Sequence, residues 1–226
     1  MSEGVLGSDF WYKTLPVLAV SLGIWIITTL FFGGLLGAQA LEFNILVFVL
    51  SIIVYFVFWI ICYYLAIKKM NLFSMIAFFA ASFFSGILSS TLIIWASTVI
   101  VLELVLGFFF AAFFAGLGAT IGLLILGLLL RGRIGRKWIY ILIVFGLILL
   151  VTEFSLIIIF GYNPYLLITS ILVLIWIFGV MVWDGSRLPD TIGAGYWMIA
   201  VIDIFLDLIN AIIRIFIIIV EIVAES

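Results

Sequence analysis

The run VIDIFLDLINAIIRI, residues 201–215, is apolar enough for a membrane interior yet carries two aspartates, an asparagine and an arginine. At about 100° per residue, Asp203, Asp207, Asn210 and Arg214 fall within a sector roughly 60° wide on one side of a helix. An ionisable group at mid-bilayer costs about 2.5–3.5 kcal/mol on insertion scales. A stripe of such groups therefore demands a partner, an aqueous path or protonation. The segment is expected to be a helix inside a bundle, with the polar face towards a cavity. The plainer reading of the same stripe is an internal salt bridge between Asp207 and Arg214 that only fixes packing.

Composition names the solvent around that bundle. Of the 226 residues, 69% are hydrophobic and 9% charged, and the mean hydropathy is +1.57, which leaves too few charged side chains to cover a soluble domain. A formal net charge of −2 argues against a nucleic-acid partner. The lone Cys62 permits no internal disulfide and reads as a small core residue. The polar start MSEGVLGSD precedes an apolar stretch too long for a signal-peptide core, so that stretch is expected to remain as a span.

With about 20 apolar residues per crossing, spans are expected near 14–37, 44–67, 72–95, 99–128, 138–160, 164–183 and 197–220. Residues 72–130 are almost uninterrupted, and as one helix would reach roughly 90 Å, three times the hydrocarbon thickness. The cut is expected between Trp95 and Thr98. Continuous runs without alternation exclude β-barrel strands. The fold class is an all-α integral membrane protein, a single seven-transmembrane-helix bundle over residues 1–226. Under that count Lys13, Lys68, Lys69, Arg131, Arg133, Arg136, Lys137 and Arg187 lie on one side, while GAQALEFN (37–44), the turn near Trp95 and GYNP (161–164) carry no basic residue. The positive-inside rule makes the basic side, and the amino terminus, cytoplasmic. A re-entrant last segment over six full spans is the alternative. Ser82, Gly86 and Ser90, and again Gly118 and Gly122, recur at the spacing that lets helices approach closely, and are read as buried packing faces.

A second acidic group, Asp184 in MVWDGSRLPD (181–190), reads as the end of the sixth span. If it meets Asp207, two carboxylates in a low dielectric share one proton and titrate in separated steps, which makes a pH switch in a chain that has no histidine. Deprotonated, the same oxygens suit Ca²⁺, although two carboxylates fall short of its six to eight ligands without carbonyls, waters or Asn210.

The order of these features resembles the transmembrane Bax inhibitor motif family. Asp184 is followed 23 residues later by the aspartate of FLDLIN (205–210); KKMNLFSMIAFFAASFFSG (68–86) resembles the basic loop and third helix of bacterial members, and VLELVLGFFFAAFFAGLGATIG (101–122) their fourth helix. The resemblance covers the chain from about residue 60 onward. It implies a seven-helix bundle with the last helix central and a pH-sensitive Ca²⁺ leak closed by an aspartate pair, here Asp184 and Asp207. It also implies a basic latch after the second span, where Lys68 stands in place of the family's arginine and lacks its bidentate fork. Glu103 matches a glutamate of the family's fourth helix. Asp203 and Glu153 look like additions. Glu153 reads either as an outer pathway carboxylate or as a hydrogen-bond partner of a neighbouring helix.

Three functions use these residues. In the cation leak, Asp184 and Asp207 are switch and Ca²⁺ ligands, Lys68 is the latch, and Asp203, Asn210, Arg214, Glu103 and Glu153 line the path, with Ca²⁺, H⁺ and the lipid bilayer as partners and no resident cofactor. A regulatory protein that binds another membrane protein, a protease or a cell-death regulator, would keep the carboxylates as structure. An intramembrane aspartyl protease also needs two aspartates on adjacent helices, but VWDGS and FLDLI differ from the YD and GxGD pair of such enzymes. Serine-histidine and histidine-zinc chemistry is closed by composition, so the chain is read as a non-enzyme.

Overall fold

A polypeptide in hydrocarbon has no water to satisfy its amides, so each apolar run must close its own hydrogen bonds as a helix. The computed structural model describes residues 6–36, 45–160 and 165–225, and those residues contain no strand. A helical turn at Gly7–Asp9 and a π-helical turn at Phe10–Thr14 lead into α1, Leu15–Leu30, which has Pro16 in its first turn and ends in a second π-helical stretch, Phe31–Leu36. There follow α2 (Ile45–Ile67), α3 (Asn71–Ala96), α4 (Leu102–Leu129), α5 (Arg136–Phe160), α6 (Leu166–Gly193) and α7 (Trp197–Ala224). The long run from 72 to 130 divides where expected, in a turn after Ala96. GAQALEFN and GYNP lie outside the described residues, as do the expected span ends at 37, 44 and 164.

Among the described residues, five stretches are long and apolar enough to cross a bilayer: Gly7–Gly34, Asn71–Ala96, Leu102–Leu129, Lys137–Phe160 and Leu166–Gly193. The chain is a multi-pass membrane protein. On α5 the exposed side chains include Ile141, Val144, Leu147, Ile148 and Val151, an outward apolar surface that lipid, not water, tolerates. α7 is one unbroken helix of 28 residues, about 42 Å long. Asp203, Asp207, Arg214 and Glu221 make it the long helix least like a plain lipid-facing span.

The chain forms two compact units. The first comprises Met1–Leu106 and Pro189–Phe205. In it α3 packs against both α1 and α2. Gly86 makes the first of these contacts possible, since a Cβ there would lie 2.6 Å from Thr28 Cβ and 2.8 Å from the Trp25 carbonyl oxygen. Fully buried Trp25 donates its indole N–H to Ser89 Oγ at 3.0 Å. Trp59, Phe78 and Phe205 meet edge-on or tilted, with centroids 5.0–6.1 Å apart, separations at which ring quadrupoles attract. Cys62 is buried against Ser74, as a core residue. Ser82, Gly86 and Ser90 are all buried, so this small-residue stripe is a packing face.

The second unit comprises Gly107–Leu188 and Leu206–Ser226. Its core is Leu149 of α5, Val173, Ile177 and Met181 of α6, and Ala211 of α7. The Trp176 indole covers Gly146 and donates to the Leu142 carbonyl at 2.8 Å. Gly118 and Gly122, expected on a packing face, are exposed with open space beside them. The close approaches of α4 are made instead by Gly116, against Ile212, and Gly127, against the backbone of α6. Gly116 and Gly127 are eleven residues apart and so differ by about 20° around the helix, whereas Gly118 is about 200° away from Gly116. Four-residue spacing marks a stripe but not the side it faces.

The sixth span also departs from expectation. Gly185, Ser186, Pro189 and Asp190 read as a loop after Asp184, yet α6 continues to Gly193 with Pro189 inside it. Proline removes one donor and crowds the carbonyl four residues earlier; here that residue is Gly185. Asp184 is therefore inside a helix, about two and a half turns from its end.

At Gly127 a Cβ would meet the Val182 carbonyl oxygen at 2.3 Å and Ser186 N at 2.8 Å, contacts with backbone that cannot swing aside. Gly127→Ala should destabilise the protein by about 1–3 kcal/mol. Gly122→Ala should be neutral or stabilising by up to about 1 kcal/mol. Thermal unfolding of the two variants in detergent measures the difference.

Candidate functional site

The polar stripe of α7 stands out by its position in the packing. Buried residues from Ala200 to Ile217 (Ala200, Val201, Ile202, Ile204, Phe205, Leu208, Ile209, Ala211, Ile212, Phe216 and Ile217) spread over about 260° of its circumference. The remaining sector, about 100° wide, holds Asp203, Asp207, Asn210, Arg214 and Glu221. Asp203, Asp207, Arg214 and Glu221 are half-buried and Asn210 is exposed. The stripe is no more open than the helix at large, since Leu206, Ile213 and Ile215 are half-buried as well and one Asp207 carboxylate oxygen is fully buried; Asn210 is the exposed position within it.

In the first unit, Asp203 accepts a short hydrogen bond from the Tyr63 hydroxyl of α2. The turn between α2 and α3 is tied to the turn between α6 and α7 by Lys69, which donates from Nζ to the Ala194 carbonyl at 2.9 Å and lies 4.6 Å from the Tyr196 ring centroid. Two backbone features make that reach possible: Lys69 is in the left-handed region at φ 56°, and Gly195 opposite has φ 83°. Lys68, the expected latch, is exposed, with its ammonium 5.9 Å from the ring of Tyr64 on its own helix. Glu103 is exposed in the first turn of α4, where a carboxylate complements the helix dipole.

In the second unit, Arg214 of α7 grips Glu153 of α5 with both terminal nitrogens, at 2.7 and 2.9 Å, and has a longer contact of 3.4 Å with Ser170 Oγ of α6. Only about a fifth of each charged side chain is accessible, 20% for Arg214 and 19% for Glu153. Of the two readings of Glu153, the bond to a neighbouring helix is the one present. Arg214 has its close carboxylate on α5, which the reading of an internal α7 bridge did not anticipate. Asp184 on α6 and Asp207 on α7 are both half-buried in this unit.

Tyr63, Lys69, Tyr196 and Ser170 were absent from the sequence-based site. Tyr63 and Lys69 belong to one chain segment and Tyr196 and Asp203 to another, and no spacing rule links a tyrosine at 63 to an aspartate at 203. Among the described residues no group of three or more Asp, Glu, Cys or His side chains is placed to hold a metal ion. No protein-family model, curated protein or solved structure matches the chain.

Removing one partner of a buried ion pair leaves the other charge unanswered. Arg214→Met should lower stability by up to about 3 kcal/mol, the low end for buried pairs because some solvent still reaches them. Adding Glu153→Leu should recover most of that loss, read as the melting temperature of the single and double variants.

Proposed function

We propose that this chain is a pH-sensitive cation leak of its membrane, in which Ca²⁺ passes along the polar sector of α7. The observation that carries the reading is the polar stripe on that helix. Asp203, Asp207, Asn210 and Arg214 share a sector about 60° wide in which the three charged residues are half-buried and Asn210 is exposed. In a bilayer, a polar sector is tolerable where water fills it and expensive where lipid does.

In this mechanism the chain crosses seven times with a cytoplasmic amino terminus and a central α7, as in the transmembrane Bax inhibitor motif family it resembles. Asp184 and Asp207 share a proton when the path is closed and offer oxygens to Ca²⁺ when it is open. Asp203 and Asn210 supply further oxygens along the stripe. The small number of acidic ligands favours passage over capture, since a tightly held Ca²⁺ needs six to eight oxygens. Glu153 neutralises Arg214, which removes a positive barrier from a cation path. The latch role expected of Lys68 passes to Lys69, whose contacts with Ala194 and Tyr196 hold the turn before α7.

Ca²⁺ uptake into liposomes that contain only the purified protein, recorded from about pH 5 to 8, tests the proposal. Wild type should show pH-dependent flux. Asp207→Asn, which keeps size and loses ionisation, should bring the ratio of flux across that range close to one. Lys69→Ala should raise leak at neutral pH more than Lys68→Ala does. Folded protein without flux would contradict the leak and favour a regulatory role through another membrane protein.

A further inference from the structure

The second unit carries a cavity of about 1000 Å³ between α4, α5 and α6, lined by none of the residues assigned to the leak. Its walls are apolar, with Leu126, Ile141 and Phe178 among them, and its rim carries Arg133 and Lys137 beside Trp138. No carboxylate lines it among the described residues. Both cations are exposed. They sit where the turn after α4, with Gly132 in the left-handed region at φ 77°, gives way to the first turn of α5. The Trp138 indole N–H points across to the Gly179 carbonyl at 3.5 Å, which sets the ring at the cavity mouth.

We infer that this cavity binds an anionic phospholipid of the surrounding bilayer, with an acyl chain in the groove and the phosphate between Arg133 and Lys137. Charge complementarity selects the occupant. An apolar groove with two cations and no carboxylate among its described lining residues matches a molecule that is apolar along its length and negative at one end. Basic pockets between transmembrane helices are suited to acidic headgroups, each Lys or Arg near the surface contributing about 1 kcal/mol. The volume is at the upper end of small-molecule sites, which run to about 1000 Å³, ample for a lipid tail. Trp138 adds an amphipathic ring of the kind that settles at headgroup depth. A zwitterionic lipid would fill the groove equally well but would bring a positive group up to the two cations.

The test is native mass spectrometry of the full chain released from vesicles of equal parts phosphatidylglycerol and phosphatidylcholine. Wild type should retain phosphatidylglycerol in preference to phosphatidylcholine. Arg133→Gln with Lys137→Gln, both exposed and so neutral to folding, should cut that preference by roughly thirtyfold. A control with Lys68→Gln and Arg187→Gln removes the same charge elsewhere and should keep it. Equal retention of the two lipids by wild type would overturn the proposal. So would an unchanged preference in the Arg133 and Lys137 variant, an equal loss in the control, or a lipid-free dimer that covers the groove with a second copy.

Discussion

A carboxylate or guanidinium inside a bilayer has to be answered within a few ångströms, by a counter-charge, a hydrogen-bond donor or water. The arrangement around α7 follows from that constraint. Arg214 is answered by Glu153, a bidentate pair that crosses from α7 to α5, and Asp203 by the Tyr63 hydroxyl. Each answer comes from another helix, so the ionisable groups also fix which helices α7 lies against within each unit. The apolar remainder of α7 is then free to pack, and Phe205 and Ala211 sit in the two cores.

Between lipid-covered helices the hydrophobic effect gives little net drive, so association rests on close packing. Glycines at Gly86, Gly116, Gly127 and Gly185 bring backbones or side chains of neighbouring helices within distances that a Cβ would forbid. Indole N–H groups act with them: Trp25 reaches Ser89, and Trp176 reaches a backbone carbonyl of α5. These contacts are local to each unit and hold the polar residues of α7 at fixed positions.

Five apolar helices of membrane length among the described residues, and the break after Ala96, were legible in the sequence, because a 20-residue apolar run has one low-energy conformation in lipid. The α7 stripe was legible too, since helical geometry alone puts Asp203, Asp207, Asn210 and Arg214 together. Its partners were not. Glu153 is a candidate without a partner in the sequence, Lys69 reads only as an orientation charge and Tyr63 carries no signal, because long-range pairing leaves no mark in spacing. Local rules also misled. Asp184 reads as the end of a span but lies within α6, which continues through Pro189 to Gly193, where Gly185 supplies the flanking carbonyl without a side chain. Gly118 and Gly122 had the spacing of a packing stripe and the wrong azimuth.

The central claim is that the polar stripe of α7 faces water inside the bilayer. Thiol chemistry reads it directly, because a cysteine reacts with small water-soluble reagents only where water lets it ionise. In a Cys62→Ala background reconstituted in liposomes, Asn210→Cys should be modified by a membrane-impermeant thiol reagent. Val144→Cys, on the exposed apolar side of α5, should stay unreacted. Modification at 210 alone is the result predicted. An inert thiol at 210 would place the stripe against lipid or sealed protein and contradict the account.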